Sequence, residues 1–431
     1  MLLFINNIRK SPLVSVLSIT AFSTIIKIIT SFFVAKIISI YLGPTGLGIT
    51  GQLAGFIAIV TVFSSGGINN GTVKYLAEHK FDEYKINRVI KASSVITFIC
   101  SLSCSFILIL GSVNWSNMLF GTSEFYIIIV LSGVFISFYS TFALINSVLN
   151  GLGKIKFLNN INIISNVVNL ILCSIMIYFF DLYGALVSMI SYQAIIVFFI
   201  FMYYRKNIID KINAFKKIKL IKEDYNSLGQ FAIMNLIGIS CIPVVQIIIR
   251  NYIGISINSD TVGYYEAINR VSIISITVIS NTLTLYYLPK LSEIKNDLLL
   301  RNEIFSASKV IIPITFFILL SIYLFRKFII FIVFSNSFLP MENYFLPQMI
   351  GDMLRVSGYM LAYQFWAKAM VKKYIVVEVI IAICYFIFTY YLVNIFGGVG
   401  VAYAYAITQL VYILLLIFSF RNLLFYRIVK S

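Results

Sequence analysis

An apolar segment near the C-terminal end, residues 348–370 (QMIGDMLRVSGYMLAYQFWAKAM), carries charged and aromatic side chains. These side chains recur at steps of three and four residues and therefore share one face of a helix; they are Asp352, Arg355, Tyr359, Tyr363 and Trp366. A charge at the centre of a membrane-spanning helix costs about 2.5–3.5 kcal/mol on insertion scales. This face is therefore predicted to meet water, a ligand or another polar helix.

Other apolar segments also contain charges at depth. Lys27 lies near the middle of the first segment and has no acidic residue within a helical turn, whereas Glu266 and Arg270 are one turn apart in the eighth. The cations predicted from this placement to bind substrate are Lys27, Lys36, Arg250, Arg270, Arg355 and Lys368. The carboxylates predicted to couple transport or to orient these cations are Glu266, Asp352 and Glu378.

Because Lys and Arg outnumber Asp and Glu at these depths, a cavity lined by them favours an anion. Several Lys and Arg donors are the usual way to bind a diphosphate. The ring faces of Tyr359, Tyr363 and Trp366 could stack on sugars, or they could simply pack the bundle. Purely structural interpretations stay open for the charged positions as well.

Three such interpretations concern particular residues. Glu266 with Arg270, and likewise Asp352 with Arg355, could be ion pairs within one helix. Lys36 could extend its amine to the outer membrane interface, and Glu378 could be solvated at the inner one. Lys27 lies too deep in its segment for its amine to reach either membrane interface. It is therefore the cation for which a substrate contact is best supported.

Other chemistries are not predicted. The five cysteines all fall in apolar spans, and without nearby histidines they do not form a metal site. His79, the single histidine, lies in a polar connection and is expected to be solvated. The phosphate-loop motif G-x-x-x-x-G-K-[ST] is absent from the sequence, so nucleotide hydrolysis is not expected. No catalytic residue, metal or cofactor is therefore predicted, apart from coupling to H⁺ or Na⁺.

The elements that hold these residues are predicted to be membrane-spanning helices. The chain has 431 residues, 60% of them hydrophobic and 11% charged, against about 25% charged in soluble domains. Apolar segments of about 20 residues recur along it, as expected for spanning helices. About twelve are predicted, near 13–41, 49–68, 88–110, 124–148, 157–180, 184–204, 228–250, 264–288, 304–325, 343–370, 374–394 and 399–420.

Charge placement predicts the orientation. Lys and Arg concentrate in alternate connections, including the two ends of the chain, so the positive-inside rule places both termini in the cytoplasm. The net charge of +17 is then explained by a basic inner face that meets anionic lipid. A nucleic-acid partner is not needed to account for it.

An internal repeat predicts two lobes of six helices with the same topology. Phe180, Gly184 and Gln193 have the spacing F-x3-G-x8-Q, and the same spacing recurs 216 positions later. The predicted organisation is an N-lobe at 1–204, a basic cytoplasmic linker at 205–226 and a C-lobe at 227–431. Two copies of equal topology form a parallel repeat, and substrate sites of such transporters lie between the copies.

Several segments resemble those of Wzx flippases, which belong to the multidrug/oligosaccharidyl-lipid/polysaccharide exporter superfamily. They are YLGPTGLG (41–48), SGGINNGTVKY (65–75), YYLPKLSE (286–293), GDMLRVSGYMLAY (351–363) and AKA (367–369). The likeness is in particular to the lipid III, or enterobacterial-common-antigen, flippase branch, and it extends over essentially the whole chain. It adds Asn70 and Lys74 to the predicted cationic substrate site.

The resemblance implies an all-α integral membrane protein with the V-shaped fold of multidrug exporters. Its members flip undecaprenyl-diphosphate-linked O-antigen or related repeat units from the cytoplasmic to the periplasmic leaflet of the bacterial inner membrane by alternating access. The implied partners are the lipid-linked oligosaccharide, membrane lipids, a polysaccharide polymerase and its chain-length regulator. The glycan stays open because loops and cavity aromatics differ from the lipid III branch.

Two other functions are weighed against flipping. A cation-coupled multidrug exporter of the same fold would have carboxylate-rich lobes, and the surplus of Lys and Arg argues against it. An integral-membrane polysaccharide polymerase or ligase would need a large outer loop, which the predicted connections do not provide. The chain is therefore predicted not to be an enzyme.

Overall fold

The computed structural model describes residues 12–203, 205, 222–368 and 370–424, and these residues contain helices and no β-strand. The α-helices are α1 (Pro12–Tyr41), α2 (Gly43–Ser64), α3 (Asn69–Glu78), α4 (Glu83–Leu110), α5 (Ser112–Phe120), α6 (Tyr126–Gly151), α7 (Ile155–Tyr203), α8 (Lys222–Ser256), α9 (Ser259–Thr282), α10 (Leu288–Glu293), α11 (Asp297–Leu324), α12 (Arg326–Val333), α13 (Phe345–Ala367), α14 (Val371–Phe396), α15 (Gly400–Ser419) and α16 (Arg421–Leu424). A π-helical turn covers Leu283–Tyr287, and 3₁₀ turns cover Asn336–Tyr344 and Gly397–Val399.

The long helices confirm a multi-pass membrane protein. Among the described residues, 7 helical stretches are long and apolar enough to cross a membrane by length and composition. Two of these stretches, Ile155–Tyr203 and Val371–Ser419, have 49 residues each, which is enough for two crossings. The described helices are therefore consistent with the predicted number of spans, and the predicted all-α membrane fold is confirmed.

Polar caps determine where several helices begin. Asp82, Asn258 and Asn296 each precede a helix, and their side-chain oxygens accept a backbone N–H at 3.0, 2.8 and 2.8 Å, respectively. Each cap satisfies a donor that the first helical turn leaves without a partner. Asp82 lies in a connection outside the spans, where its hydrogen bond from the backbone N–H of Lys85 lowers the pKa of the carboxyl group.

The same reversal of the backbone occurs in both copies of the predicted repeat. Asp181 interrupts α7 with φ 47° and ψ −129°, and among the described residues it is the only non-glycine residue at positive φ. Gly397, which follows α14, has φ 60° and ψ −149°. The two residues are 216 positions apart, the offset of the sequence repeat. The shared geometry supports the repeat at the level of local structure.

Close packing after the reversal is also repeated. A Cβ atom at Gly184 would overlap the carbonyl oxygen of Met176, and one at Gly400 would overlap that of Leu392. Because both neighbours are backbone atoms, they cannot move aside as a flexible side chain could. Glycine is therefore needed at both positions, which explains why it appears in the repeated F-x3-G-x8-Q pattern.

The chain divides into two compact units. The first unit comprises Met1–Tyr41 and Gln52–Pro243, and the second comprises Leu42–Gly51 and Val244–Ser431. Most of the predicted basic linker lies at 206–221, outside the described residues. The division into an N-lobe and a C-lobe at the predicted boundaries therefore stays a prediction.

Each unit has its own apolar core. In the first unit, Phe142 of α6 packs with Ile161 and Val197 of α7. In the second unit, a larger cluster joins α9, α13 and α15 and contains Ile276, Leu283, Met360, Phe365 and Leu416. The second core surrounds the helix that carries the charged face found in the sequence, and it holds that helix in place.

Replacing Asp181 with glycine is expected to stabilise the protein. Left-handed backbone costs a non-glycine residue about 1–3 kcal/mol, and the equivalent position in the other repeat copy is already glycine. We expect Asp181→Gly to raise the apparent melting temperature in detergent, measured by circular dichroism. The matched variant Gly397→Ala is expected to lower it. A lower melting temperature for Asp181→Gly would contradict this account of the turn.

Candidate functional site

A buried ion cluster in the second unit joins α8 to α9. Glu266 Oε2 accepts a hydrogen bond from Arg250 Nη2 at 2.8 Å, and Glu266 Oε1 accepts one from Arg270 Nε at 2.9 Å. Arg250 and Glu266 are each 6% exposed, while the side chain of Arg270 is 22% exposed. One carboxylate thus faces two guanidinium groups, so the cluster keeps a net positive charge.

A glycine allows α2 to lie against this cluster. Gly51 belongs to the second unit, and a Cβ atom there would overlap the carboxyl carbon of Glu266. Arg250 Nε and Nη1 are buried and make no hydrogen bond to the described residues, although the guanidinium lies 5.8 Å from the ring centre of Tyr265. Glu266 is therefore the group that compensates the charge of Arg250, and its expected pairing with Arg270 is only part of its role.

Asp352 is completely buried, and hydroxyl groups bind it. Its Oδ1 accepts hydrogen bonds from Ser272 Oγ at 2.6 Å and from Tyr405 Oη at 2.9 Å, whereas Oδ2 makes none among the described residues. The exposed fraction of Asp352 is 0%. Its predicted partner Arg355 makes no ion pair with it within the described chain; the guanidinium lies 5.6 Å from the ring centre of Tyr359 instead.

The aromatic positions of α13 differ in their surroundings. The half-buried Tyr363 lies 2.9 Å from Thr284 Oγ1 and donates to the carbonyl of Ser280 at 3.1 Å. Its ring centre is 6.1 Å from that of Tyr359. Trp366 is 45% exposed and its ring lies 5.2 Å from that of Tyr374. Tyr359 and Tyr363 thus continue the face of Arg355, while Trp366 packs near the helix end.

The remaining predicted residues of the second unit are Lys368 and Glu378. Lys368, which follows α13, is half-buried and donates from Nζ to the carbonyl oxygen of Ile294 at 2.5 Å. Glu378 is half-buried on α14. Because the ammonium group of Lys368 already binds a backbone carbonyl, it is less available to a ligand than the guanidinium of Arg355.

Four predicted residues belong to the first unit. Lys27 is exposed on α1, and Lys36 is half-buried on the same helix. Asn70 donates to Asn235 Oδ1 at 2.8 Å, and Asn235 in turn donates to the carbonyl of Gly67 at 2.7 Å. Lys74 is exposed, with its ammonium group 5.1 Å from the ring centre of Tyr75. Asn70 therefore has a structural partner, while the Lys27 side chain is accessible.

Sequence reasoning did not identify Ser272, Tyr405 and Asn235. Each is an ordinary polar residue of an apolar helix, and its partner lies 80, 53 or 165 positions away. Helical periodicity relates only residues a few positions apart, so it carries no signal for these pairs. Among the described residues, no group of three or more His, Cys, Asp or Glu could hold a metal ion.

Neutralising Glu266 is expected to destabilise the second unit. Glu266→Gln would remove the countercharge of Arg250, and breaking a buried ion pair in this way costs about 3–5 kcal/mol. The variant should show a clearly lower melting temperature in detergent. Lys85→Gln is the control, because it breaks an exposed ion pair with Asp82 and should change the melting temperature little. An unchanged melting temperature for Glu266→Gln would refute the assigned role.

Comparison with known proteins agrees with the helical membrane fold. The family model described as "Polysaccharide biosynthesis protein" matches residues 13–295. The chain is similar to the protein named "Lipid III flippase" of Escherichia coli (strain K12), with 26% identity over 400 residues, which cover 91% of this chain and 94% of the relative.

Solved structures show the same fold at low sequence identity. An inward-facing multidrug resistance MATE family transporter of the MOP superfamily matches with a TM-score of 0.80 and 14% identity, over 98% of this chain and 100% of that one. The lipid II flippase MurJ, in an inward closed conformation, matches with a TM-score of 0.75 and 15% identity, over 95% of this chain and 87% of that one. The chain thus adopts the fold of MOP-superfamily transporters, and the extent of the family match establishes that it belongs to the polysaccharide biosynthesis protein family.

Proposed function

We propose that this protein is a flippase for an undecaprenyl-diphosphate-linked oligosaccharide, such as an O-antigen repeat unit. The observation that carries the proposal is the similarity to a lipid III flippase across 91% of this chain and 94% of the relative. Membership of the polysaccharide biosynthesis protein family supports it. The relatives are transporters and not enzymes, so the expected activity is movement of the lipid-linked glycan without a chemical change.

The charges of the second unit fit a diphosphate ligand. Arg250 is buried against Glu266, and Lys368 binds a backbone carbonyl, so neither side chain is readily offered to a substrate. Arg355 lies over an aromatic ring and makes no ion pair with the described residues, and Arg270 retains partial exposure. Arg355 and Arg270 are therefore the cations of this unit to which we assign the diphosphate, since guanidinium groups bind phosphate oxygens by paired hydrogen bonds.

The first unit contributes a separate cation. Lys27 lies exposed on α1, in a helix whose first turn has no acidic residue. An ammonium group in apolar surroundings is costly unless an anion or water accompanies it. We assign Lys27 a contact with the anionic part of the substrate. A separate variant tests this contact, so its outcome does not depend on the role of Arg355.

The sugars and the lipid tail need different surroundings. Tyr359 and Tyr363 follow Arg355 along α13, and their ring faces could pack against the apolar faces of sugar rings. The polyprenyl tail has no polar group and would stay in the lipid. The proposed location is the bacterial inner membrane with both termini in the cytoplasm. A polysaccharide polymerase and its chain-length regulator are the proposed functional partners.

Rescue of a flippase-null strain tests this function. The wild-type protein is expected to restore surface polysaccharide and to clear the accumulated lipid-linked intermediate, identified by mass spectrometry. Arg355→Ala and Lys27→Ala are each expected to lower surface polysaccharide at least about tenfold at equal protein level, since one charge-assisted contact is worth about 1.5–3 kcal/mol. Normal polysaccharide with either variant would reject the role of that residue.

A matched control for Arg355 lies on α11. Arg301 also lies over an aromatic ring, 5.7 Å from the centre of Phe305, but it is outside the polar face of α13. Arg301→Ala should therefore leave surface polysaccharide unchanged. Drug resistance on expression, without any rescue, would instead favour a multidrug exporter of the same fold.

Asp352 is proposed to sense the coupling ion. Its buried Oδ1 accepts hydrogen bonds from two hydroxyl groups. Asparagine at this position would keep an acceptor oxygen but would neither bind a proton nor carry a charge. In proteoliposomes, wild-type translocation is expected to respond to a gradient of H⁺ or Na⁺, and Asp352→Asn should abolish that response. An Asp352→Asn protein that responds as the wild type does would exclude Asp352 as the coupling group.

A further inference from the structure

A cavity lies in the second unit, and its lining residues differ from the polar residues around Asp352. It has a volume of about 430 Å³, within the range of about 300–1,000 Å³ typical of small-molecule sites. It lies where the end of α11, the 3₁₀ segment 336–344 and the turn between α14 and α15 meet. The lining residues used below are Tyr323, Arg326, Glu342, Asn343, Phe396 and Tyr403.

The cation of this cavity is already neutralised. Arg326 binds Glu342 Oε1 through Nη2 at 2.8 Å and through Nε at 3.0 Å, and its Nη1 donates to the carbonyl of Tyr323 at 3.0 Å. The guanidinium also lies 4.5 Å from the ring centre of Tyr323. Because these contacts use all three of its nitrogens, Arg326 acts as a clamp on Glu342, and the cavity is not organised as a phosphate site.

The clamp fixes a carboxylate that still has acceptor capacity. Glu342 Oε2 is approached by Lys327 Nζ at 3.7 Å, but that lysine side chain is 71% exposed, and the side chain of Glu342 itself is 25% exposed. The neighbouring Asn343 is exposed and adds an amide group with both donors and an acceptor. The polar wall can therefore bind neutral hydroxyl groups in a fixed geometry.

The cavity also has an aromatic lining. Phe396 and Tyr403 are 54% and 41% exposed, and their ring centres are 5.2 Å apart. Aromatic side chains at a membrane interface usually face lipid. These two rings line a cavity that also contains a clamped carboxylate and an amide, a combination that lipid chains do not require. Apolar ring faces and hydroxyl-binding groups in one cavity suit a ligand with one apolar face and one hydroxylated edge.

A pyranose sugar has these two faces, and we propose that the cavity binds a saccharide. The proposal rests on the proposed flippase function and its orientation, which place residues 325–344 and 397–399 on the outer side of the membrane. The cavity then receives one part of the glycan as it emerges. The diphosphate stays with the cations assigned above and Tyr359 and Tyr363 contact the sugars nearest to it, so the cavity is a second site for the glycan.

Binding of a free glycan tests the site without translocation. The full-length protein is placed in phosphatidylcholine nanodiscs, and the probe is the oligosaccharide released by mild acid from the lipid-linked intermediate, labelled with a fluorophore at its reducing end. Fluorescence anisotropy should show binding to the wild type. Tyr403→Ala should weaken it about fivefold to tenfold because ring packing is lost, while Tyr403→Phe should preserve it.

Further variants separate the cavity from general effects. Asn343→Ala should weaken binding of the oligosaccharide, since it removes a lining amide. Tyr391→Ala is the matched control: it removes a 62% exposed tyrosine of α14 that does not line the cavity, and binding should not change. Equal affinities for Tyr403→Ala, Asn343→Ala and the wild type would overturn the proposal. So would a wild-type protein that does not bind the probe.

A lipid headgroup is the competing occupant. If Tyr403→Ala loses phosphatidylglycerol that copurifies with the wild type, and keeps its affinity for the oligosaccharide, the cavity holds lipid and the saccharide proposal is wrong. Failure of the flippase function gives a different result. In that case the wild type would not rescue the null strain, yet it would still bind the oligosaccharide in a manner that depends on Tyr403.

Discussion

Compensation of charge in apolar surroundings is the constraint on which the second unit depends. Glu266 holds two arginines from two helices, and one of them, Arg250, is almost fully buried. Removing water from an ion costs several kcal/mol in real proteins, so a buried charged group needs a countercharge or hydrogen-bond donors beside it. The requirement fixes α8 against α9, and the glycine at position 51 lets α2 approach the same carboxylate.

The same constraint separates cations that support the structure from cations that can serve a ligand. Arg250 and Arg326 each have a carboxylate partner, and Lys368 has a backbone carbonyl. Arg355 has an aromatic neighbour, and Lys27 is exposed. A negatively charged substrate would supply a countercharge to Arg355 and to Lys27. This distinction selects Arg355 and Lys27 for the flippase proposal. Arg270, which shares Glu266 with Arg250, is assigned because its side chain stays partly exposed.

The repeat accounts for the strained backbone at Asp181. Asp181 and Gly397 adopt the same reversal in the two copies, and each is followed by a glycine packed against a carbonyl oxygen. Since both copies keep the turn while only one keeps glycine at its centre, the geometry is retained even at an energetic cost. The turn separates the two spans of each 49-residue apolar stretch.

Composition, hydropathy and periodicity were sufficient to predict the helical membrane fold, the repeat and the charged face of α13, because each depends on residues close in sequence or on a fixed offset. They could not identify the partners of Asp352. The sequence suggested Arg355, one helical turn away, but the carboxylate binds hydroxyl groups of Ser272 and Tyr405 on other helices. Which helix faces which is decided by packing over the whole unit, and local spacing carries no record of it. The pairing of Glu266 with Arg270 was predictable from their spacing, whereas the partners of Asp352 and Arg250 were decided only by the tertiary structure.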